Sequence, residues 1–257
     1  MCLILFAYDC HPGYRLIVAA NRDEFYQRPT LPASFWDDNP QILAGRDLRE
    51  GGTWMGITTT GRFAALTNYR DPAANKLSAP SRGHLVCEYL QGNLSPGQYI
   101  EELSDKVNAY NGFNLLLSDY GSLYYYSNRE QMLCQVSKGI HGLSNSLLDV
   151  PWPKVTTGLK AFTNVVQEED IDVEQLFSVM TSREEPDDRE LPDTGLTLEM
   201  ERMLAPVFVN IPDYGTRLTT VILVDRNNGV RFWERSYIDK KPDAWEQVHY
   251  EFQVQLR

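Results

Sequence analysis

The pattern that most restricts how this chain can fold is a strand–turn–strand rhythm repeated along it. Apolar residues fill Cys2 to Tyr8 and Leu16 to Ala20, with Asp9, Pro12 and Gly13 between them, which reads as a run, a turn and a return. Thr53 to Thr59 and Arg62 to Asn68 repeat the pattern about Gly61, and Phe113 to Ser118 and Leu123 to Ser127 repeat it about Tyr120 and Gly121. Leu218 to Val224 and Val230 to Tyr237 do so about Asn227, Asn228 and Gly229. Each pair is a β-hairpin signature, because Gly, Asn and Asp supply the backbone angles that reverse a chain between paired strands. An antiparallel, meandering β architecture follows, with Cys2 at the head of its first strand.

Helical segments interrupt the meander in two blocks. Ser81 caps a segment ending near Gly92, and Ser95 with Pro96 opens another to about Val107; a Ser cap satisfies a free amide and a Pro at the first helical position removes one. Pro153 to about Val166, an Asp172 cap to Thr181 and a Thr197 cap to Leu204 form the second block. The acidic stretch Arg183 to Asp193 reads as an exposed loop, and Pro29, Pro32 and Pro40 mark an extended loop rather than a linker. Strand runs with helices grouped between them specify an α+β fold, sheets packed together and covered by helices. At 257 residues one domain spanning residues 1–257 is expected.

Charge narrows the function classes. Lys and Arg number 24 against 35 Asp and Glu, a net charge of −11, and no basic stripe is present to follow phosphates, so nucleic acid is not an expected partner. The apolar run Leu3 to Ala7 is too short for a secretion signal and has no basic residue before it. No stretch reaches the roughly 20 apolar residues of an integral membrane segment. A cytoplasmic location is expected. Cys2, Cys10, Cys87 and Cys134 are far apart with no CxxC, which indicates reduced thiols rather than a zinc ribbon or disulfide framework.

Cys2 carries the chemistry. Removal of Met1 gives a first residue with both a thiol and a free α-amine, and an amine with a pKa of about 7.7–8.0 can take the thiol proton near neutral pH. Threonine paired with an N-terminal amine works by the same logic. The return strand ends in Asn21-Arg22-Asp23-Glu24-Phe25, which a hairpin places opposite the start of the first strand. A guanidinium there lowers a thiol pKa, and a carboxylate orients an amine. Alternation puts Arg22 and Glu24 on one face and Asn21 and Asp23 on the other, so all four converge only through a bend or bulge. The competing reading is a turn of solvated charges with an Arg–Glu pair of small energetic weight. Asn68, Asn145 and Arg217 stand at strand ends. An asparagine there serves either turn chemistry or donation to an oxyanion.

Met1-Cys2, Asn21 to Phe25, Gly51-Gly52-Thr53-Trp54, Asn68-Tyr69-Arg70, Gly142-Leu143-Ser144-Asn145 and Gly215-Thr216-Arg217 together resemble the NRDE family, the transport-and-Golgi-organisation proteins. The resemblance runs through nearly the whole chain. That family in turn looks like the N-terminal-nucleophile hydrolases, nearest the penicillin and bile-salt amidases with an N-terminal cysteine, which implies a four-layer αββα sandwich. On that resemblance Cys2 matches the nucleophile, Arg22 the arginine beside the thiol, Asn68 and Asn145 the oxyanion and substrate positions, and Arg217 a late supporting arginine. The amidases' aspartate, three residues after the arginine, is Phe25 here, so the resemblance requires Asp23 or Glu24 to replace it through a bulge. Asn21, Glu24 and Trp54 are the candidate ligand contacts.

Two functions compete on these residues. One is hydrolysis of a non-peptide amide, with Cys2 attacking and its amine moving the proton, and no cofactor required. The other is a non-catalytic carrier of a small-molecule or lipid-like ligand, with haem or acyl-coenzyme A as the cargo that the resemblance suggests. There is no CxxCH, and the candidate haem ligands are His11, His84, His141, His249 or a cysteine. His84 and Cys87 share a helix face, which ordinary packing also explains.

Overall fold

Cys2–Tyr8 is apolar at nearly every position rather than at alternate ones, and a strand of that kind is buried on both faces and has neighbours on both sides. In the computed structural model, which describes residues 2–255, this strand, β1, has such a place. Two compact units divide the described residues: 2–27 with 138–251, and 28–137 with 252–255. The strands following β1 are β2 (Tyr14–Phe25), β3 (Thr30–Phe35), β4 (Ile42–Asp47), β5 (Met55–Thr58) and β6 (Phe63–Asn68). Helices α1 (Gly83–Gln91) and α2 (Pro96–Leu103) precede β7 (Phe113–Ser118), β8 (Leu123–Ser127), β9 (Met132–Gln135) and β10 (Gly139–Leu143). Helices α3 (Pro153–Val166), α4 (Val173–Met180) and α5 (Leu198–Leu204) lead to β11 (Tyr214–Asp225), β12 (Gly229–Tyr237) and β13 (Trp245–Gln253).

The first unit is built on a six-stranded sheet in the order β10-β1-β2-β11-β12-β13. Leu3, Leu5, Ala7, Ile17, Ala19, Val221 and Leu223 point to one side of it and pack with Val155 and Phe162 of α3 and Leu176 and Phe177 of α4. Two glycines let α3 lie close to the sheet. A methyl group on Gly158 would come 2.9 Å from Leu5 Cδ1, and one on Gly142 in β10 would come 2.6 Å from Val155 Cγ1. The second unit is a seven-stranded sheet whose strands lie in chain order, β3 to β9. Its core joins Ile42, Ala44, Ala64, Leu66, Leu115 and Leu117 of the sheet to Leu85, Tyr89, Leu90 and Ile100 of α1 and α2. Each unit thus supplies one antiparallel sheet and one helical layer.

All four expected hairpins form, and α3, α4 with its Asp172 cap, and α5 with its Thr197 cap form as expected. Three local readings are corrected. Helix α1 is preceded by Arg82 rather than Ser81 at the cap position. Helix α2 keeps its Ser95 capping box but ends at Leu103, followed by a separate 3-10 turn at Val107–Ala109. The proline-marked loop contains strand β3, in which Pro32 is tolerated because β3 is an edge strand and its pairing with β4 shifts between Leu31 and Ser34. Among the described residues no helix is long and apolar enough to cross a membrane.

Candidate active site

Hairpin register assembles the centre of the site. Cys2 of β1 is paired with Arg22 of β2, and Leu3 with Asn21. Since Leu3 and its even-spaced neighbours face α3 and α4, alternation turns Cys2 and Arg22 to the opposite face together. On the other flank Leu143 of β10 is paired with Ile4, and the chain bends at Ser144 and Asn145 just past the end of the strand. The Ser144 hydroxyl donates to the Cys2 carbonyl oxygen at 3.1 Å. Asn145 is fully buried, Arg22 is 5% exposed and Cys2 is half-buried. Cys2 is thus flanked by Arg22 of β2 on one side and by Ser144, the neighbour of Asn145, on the other. Burial pushes the Cys2 thiol above its ordinary value and the Asp23 carboxylate adds to the rise, while the Arg22 guanidinium and the Asp23 backbone N–H act against it.

The other face holds a second polar cluster. Asp23 is buried, and its Oδ1 accepts from the Thr216 hydroxyl at 2.7 Å. The same Thr216 oxygen accepts from the Val209 backbone N–H, and the Tyr214 hydroxyl donates to the Asp23 carbonyl at 2.8 Å. Lys154 Nζ lies 3.7 Å from Asp23 Oδ2, with the two side chains 2% and 0% exposed. Asn21 is also committed on this face: its amide donates to the carbonyls of Met180 and Val207 and accepts from the Thr219 hydroxyl. Asn21 thus fastens β2 to the end of α4. Glu24, at the rim, lies 3.8 Å from Arg22 and accepts from the Phe25 backbone N–H.

No register shift interrupts the β1–β2 pairing through Arg22. The irregularity lies across from it, in β11, where Asp23 is paired with Thr216 and Arg22 with Leu218, leaving Arg217 as the extra residue. A bulge of this kind re-aims a side chain. Arg217 is half-buried and donates to the Phe25 carbonyl at 3.4 Å. Cys2, Arg22, Asp23, Asn145 and Arg217 thus belong to one unit. Asn68, at the end of β6, and Trp54, just before β5, belong to the other. Trp54 is buried with its ring over Gly45.

The pair His84 and Cys87 is part of the α1 packing. His84 Nε2 is 2.6 Å from the Glu50 carbonyl oxygen, and Cys87 lies in the core with its thiol pushed by burial up to about 11. Lys154 and Tyr214 were not singled out from the sequence, and Ser144 and Thr216 stood there only inside motifs, with no role of their own. Lys154 had a legible signal: a lysine between Pro153 and Val155 in the first turn of an amphipathic helix, where the helix dipole disfavours a cation.

A model of the family described as Transport and Golgi organisation 2 matches residues 1–239. The Bos taurus protein named Transport and Golgi organization protein 2 homolog is 40% identical over 280 residues, covering 99% of this chain and all of that protein. The Drosophila melanogaster protein named Transport and Golgi organization protein 2 is 31% identical, covering 98% of each. Among solved structures, a mutant conjugated bile acid hydrolase from Clostridium perfringens is similar over 100% of this chain and 98% of its own, at 10% identity and a TM-score of 0.50. That likeness shows the fold, which is α+β of the N-terminal-nucleophile hydrolase type.

Proposed function

The chain belongs to the Transport and Golgi organisation 2 family, and on that premise we propose that it hydrolyses a non-peptide amide, with Cys2 as the nucleophile once Met1 is removed. The observation that carries this reading is the pairing of Cys2 with Arg22 on one sheet face, with Ser144, the neighbour of Asn145, hydrogen-bonded to the Cys2 carbonyl. Met1 itself lies outside the described residues. The α-amine of Cys2 takes the thiol proton, the sulfur attacks the substrate carbonyl, and the amine returns the proton to the departing nitrogen. Water then releases the acyl group from the thioester. Asn145 holds the oxyanion, and the resemblance gives Asn68 an oxyanion or substrate-binding role. Arg217 supports the site, and Glu24 and Trp54 are the remaining candidate ligand contacts.

The register supports a role for Asp23 that needs no bulge in β2. The strands are antiparallel, so moving from Cys2 toward its nitrogen corresponds to moving from Arg22 toward Asp23. The thiol then belongs to the Arg22 face and the amine to the Asp23 side of the pair. One dipeptide serves both halves of the nucleophile. Cys2→Ala should lower turnover of any acyl amide found in a substrate screen by at least about a thousandfold. Undiminished turnover would end the proposal.

Carriage of haem or acyl-coenzyme A is the second reading, and the site residues favour it less. His11 Nδ1 accepts from the Gly13 and Tyr14 amides and its Nε2 meets the Glu168 carbonyl. His141 meets Asp149 at 2.8 Å, and His249 stacks on Trp233. Each candidate axial histidine has a partner. Titration with haemin and with a long-chain acyl-coenzyme A tests this reading directly; saturable binding with no turnover by the wild-type chain would put it first.

A further inference from the structure

Lys154 is a buried cation that the hydrolytic steps do not use, and it stands where a lysine is poorly tolerated. It occupies the first turn of α3 and is 2% exposed, so both the helix dipole and desolvation oppose its charge. The compensating group is Asp23, 3.7 Å away and equally buried. Gly142 and Gly158 hold α3 close to β10 and β1, which brings the lysine down to the sheet. Asp23 is further fixed by the Thr216 hydroxyl on its carboxylate and the Tyr214 hydroxyl on its carbonyl. Three contacts from two elements, α3 and β11, thus converge on the residue beside the start of β1.

We propose that Lys154 is a positioning residue for the nucleophile: its ammonium keeps Asp23 ionised inside the sheet–helix interface, so that Asp23 can hold and charge-stabilise the α-amine of a processed Cys2. This deepens the hydrolytic reading and rests on it. A carboxylate buried without a counter-charge takes up a proton, and a neutral Asp23 no longer stabilises an ammonium. Lys154 acts on the amine through Asp23 rather than on the substrate.

The test reads the amine without substrate. On protein whose intact mass shows Cys2 at the N-terminus, the α-amine is titrated by the pH dependence of its acylation with an N-hydroxysuccinimide ester, read by N-terminal peptide mass. Lys154→Met should move the midpoint down by about one unit, a tenfold change in the protonation equilibrium, and Lys154→Arg should restore it. Asp23→Asn should produce the same shift. In the Asp23→Asn background Lys154→Met should add nothing, because the lysine has lost the group it acts through. That double variant removes both charges together, so it remains informative if Lys154→Met alone is too unstable to titrate. An unchanged midpoint in the variants, or independent and additive shifts, overturns the proposal. Coupled titration in a chain that turns over no amide would instead refute hydrolysis while leaving the Lys154–Asp23–amine linkage standing.

Discussion

At the residue scale the NRDE tetrapeptide divides by alternation into two jobs. Arg22 shares a face with the thiol, whereas Asn21 and Asp23 turn into the helical layer, one as a tether to α4 and the other as the partner of Lys154. Removing one member of a buried ion pair leaves a desolvated charge behind, at a cost of about 3–5 kcal/mol. Urea unfolding of Lys154→Met should show a loss of that size, and adding Asp23→Asn should recover much of it. A loss below about 1 kcal/mol would mean the pair carries little structural weight. Cys87 supplies a contrast: buried in the second unit's core with its thiol pushed up to about 11, it should alkylate far more slowly at pH 8 than exposed Cys10. Peptide mapping after iodoacetamide checks this.

At the element scale the decisive contact is α3 on β1 and β10. Gly158 and Gly142 leave no room for a side chain against Leu5 and Val155, so Gly158→Val should overpack the interface and cost about 1–3 kcal/mol. It should also disturb the Lys154–Asp23 geometry, so thermal unfolding and the α-amine titration should shift together. The hairpins and α3 to α5 were legible because their signals are local: continuous apolar runs, turn residues, and Ser, Thr, Asp and Pro at helix starts. Strands β3, β9 and β13 were not. Pro32 interrupts β3, and in β13 the residues alternate between half-buried and exposed, so these edge strands form by pairing with stronger neighbours rather than by their own pattern. The bulge at Arg217 was equally hidden, since a register shift depends on the two strands together. That residues 21–25 return to the neighbourhood of Cys2 was legible because a hairpin brings the end of its second strand back to the start of its first; the Lys154–Asp23 pairing was not, because the two residues lie more than a hundred positions apart.

At the scale of the whole molecule, the segment that holds Asn68 and Trp54 is inserted within the segment that holds Cys2, Arg22 and Asn145. Each has its own sheet and core, so the inserted part has an internal ledger of charges. Asp47 is one of them: burial opposes its ionisation, yet the Arg28 guanidinium and the Arg49 and Glu50 amides hold its carboxyl below the usual range. A carboxyl that binds its proton less readily when folded stabilises the fold fully above its unfolded pKa of about 3.9 and loses that contribution as pH falls through the lower folded value. Asp47→Asn should therefore melt below the wild type at about pH 6, and the gap should close toward about pH 2. A gap independent of pH would assign the effect to packing. Hydrolysis depends on the other end of the chain, where a nucleophile needs a free amine. Its most direct test is the intact mass of tag-free protein made from its native start codon: loss of Met1 is the predicted result, exposing Cys2 beside Arg22 and Asp23, and a chain that retains Met1 would contradict it by leaving the thiol without its base.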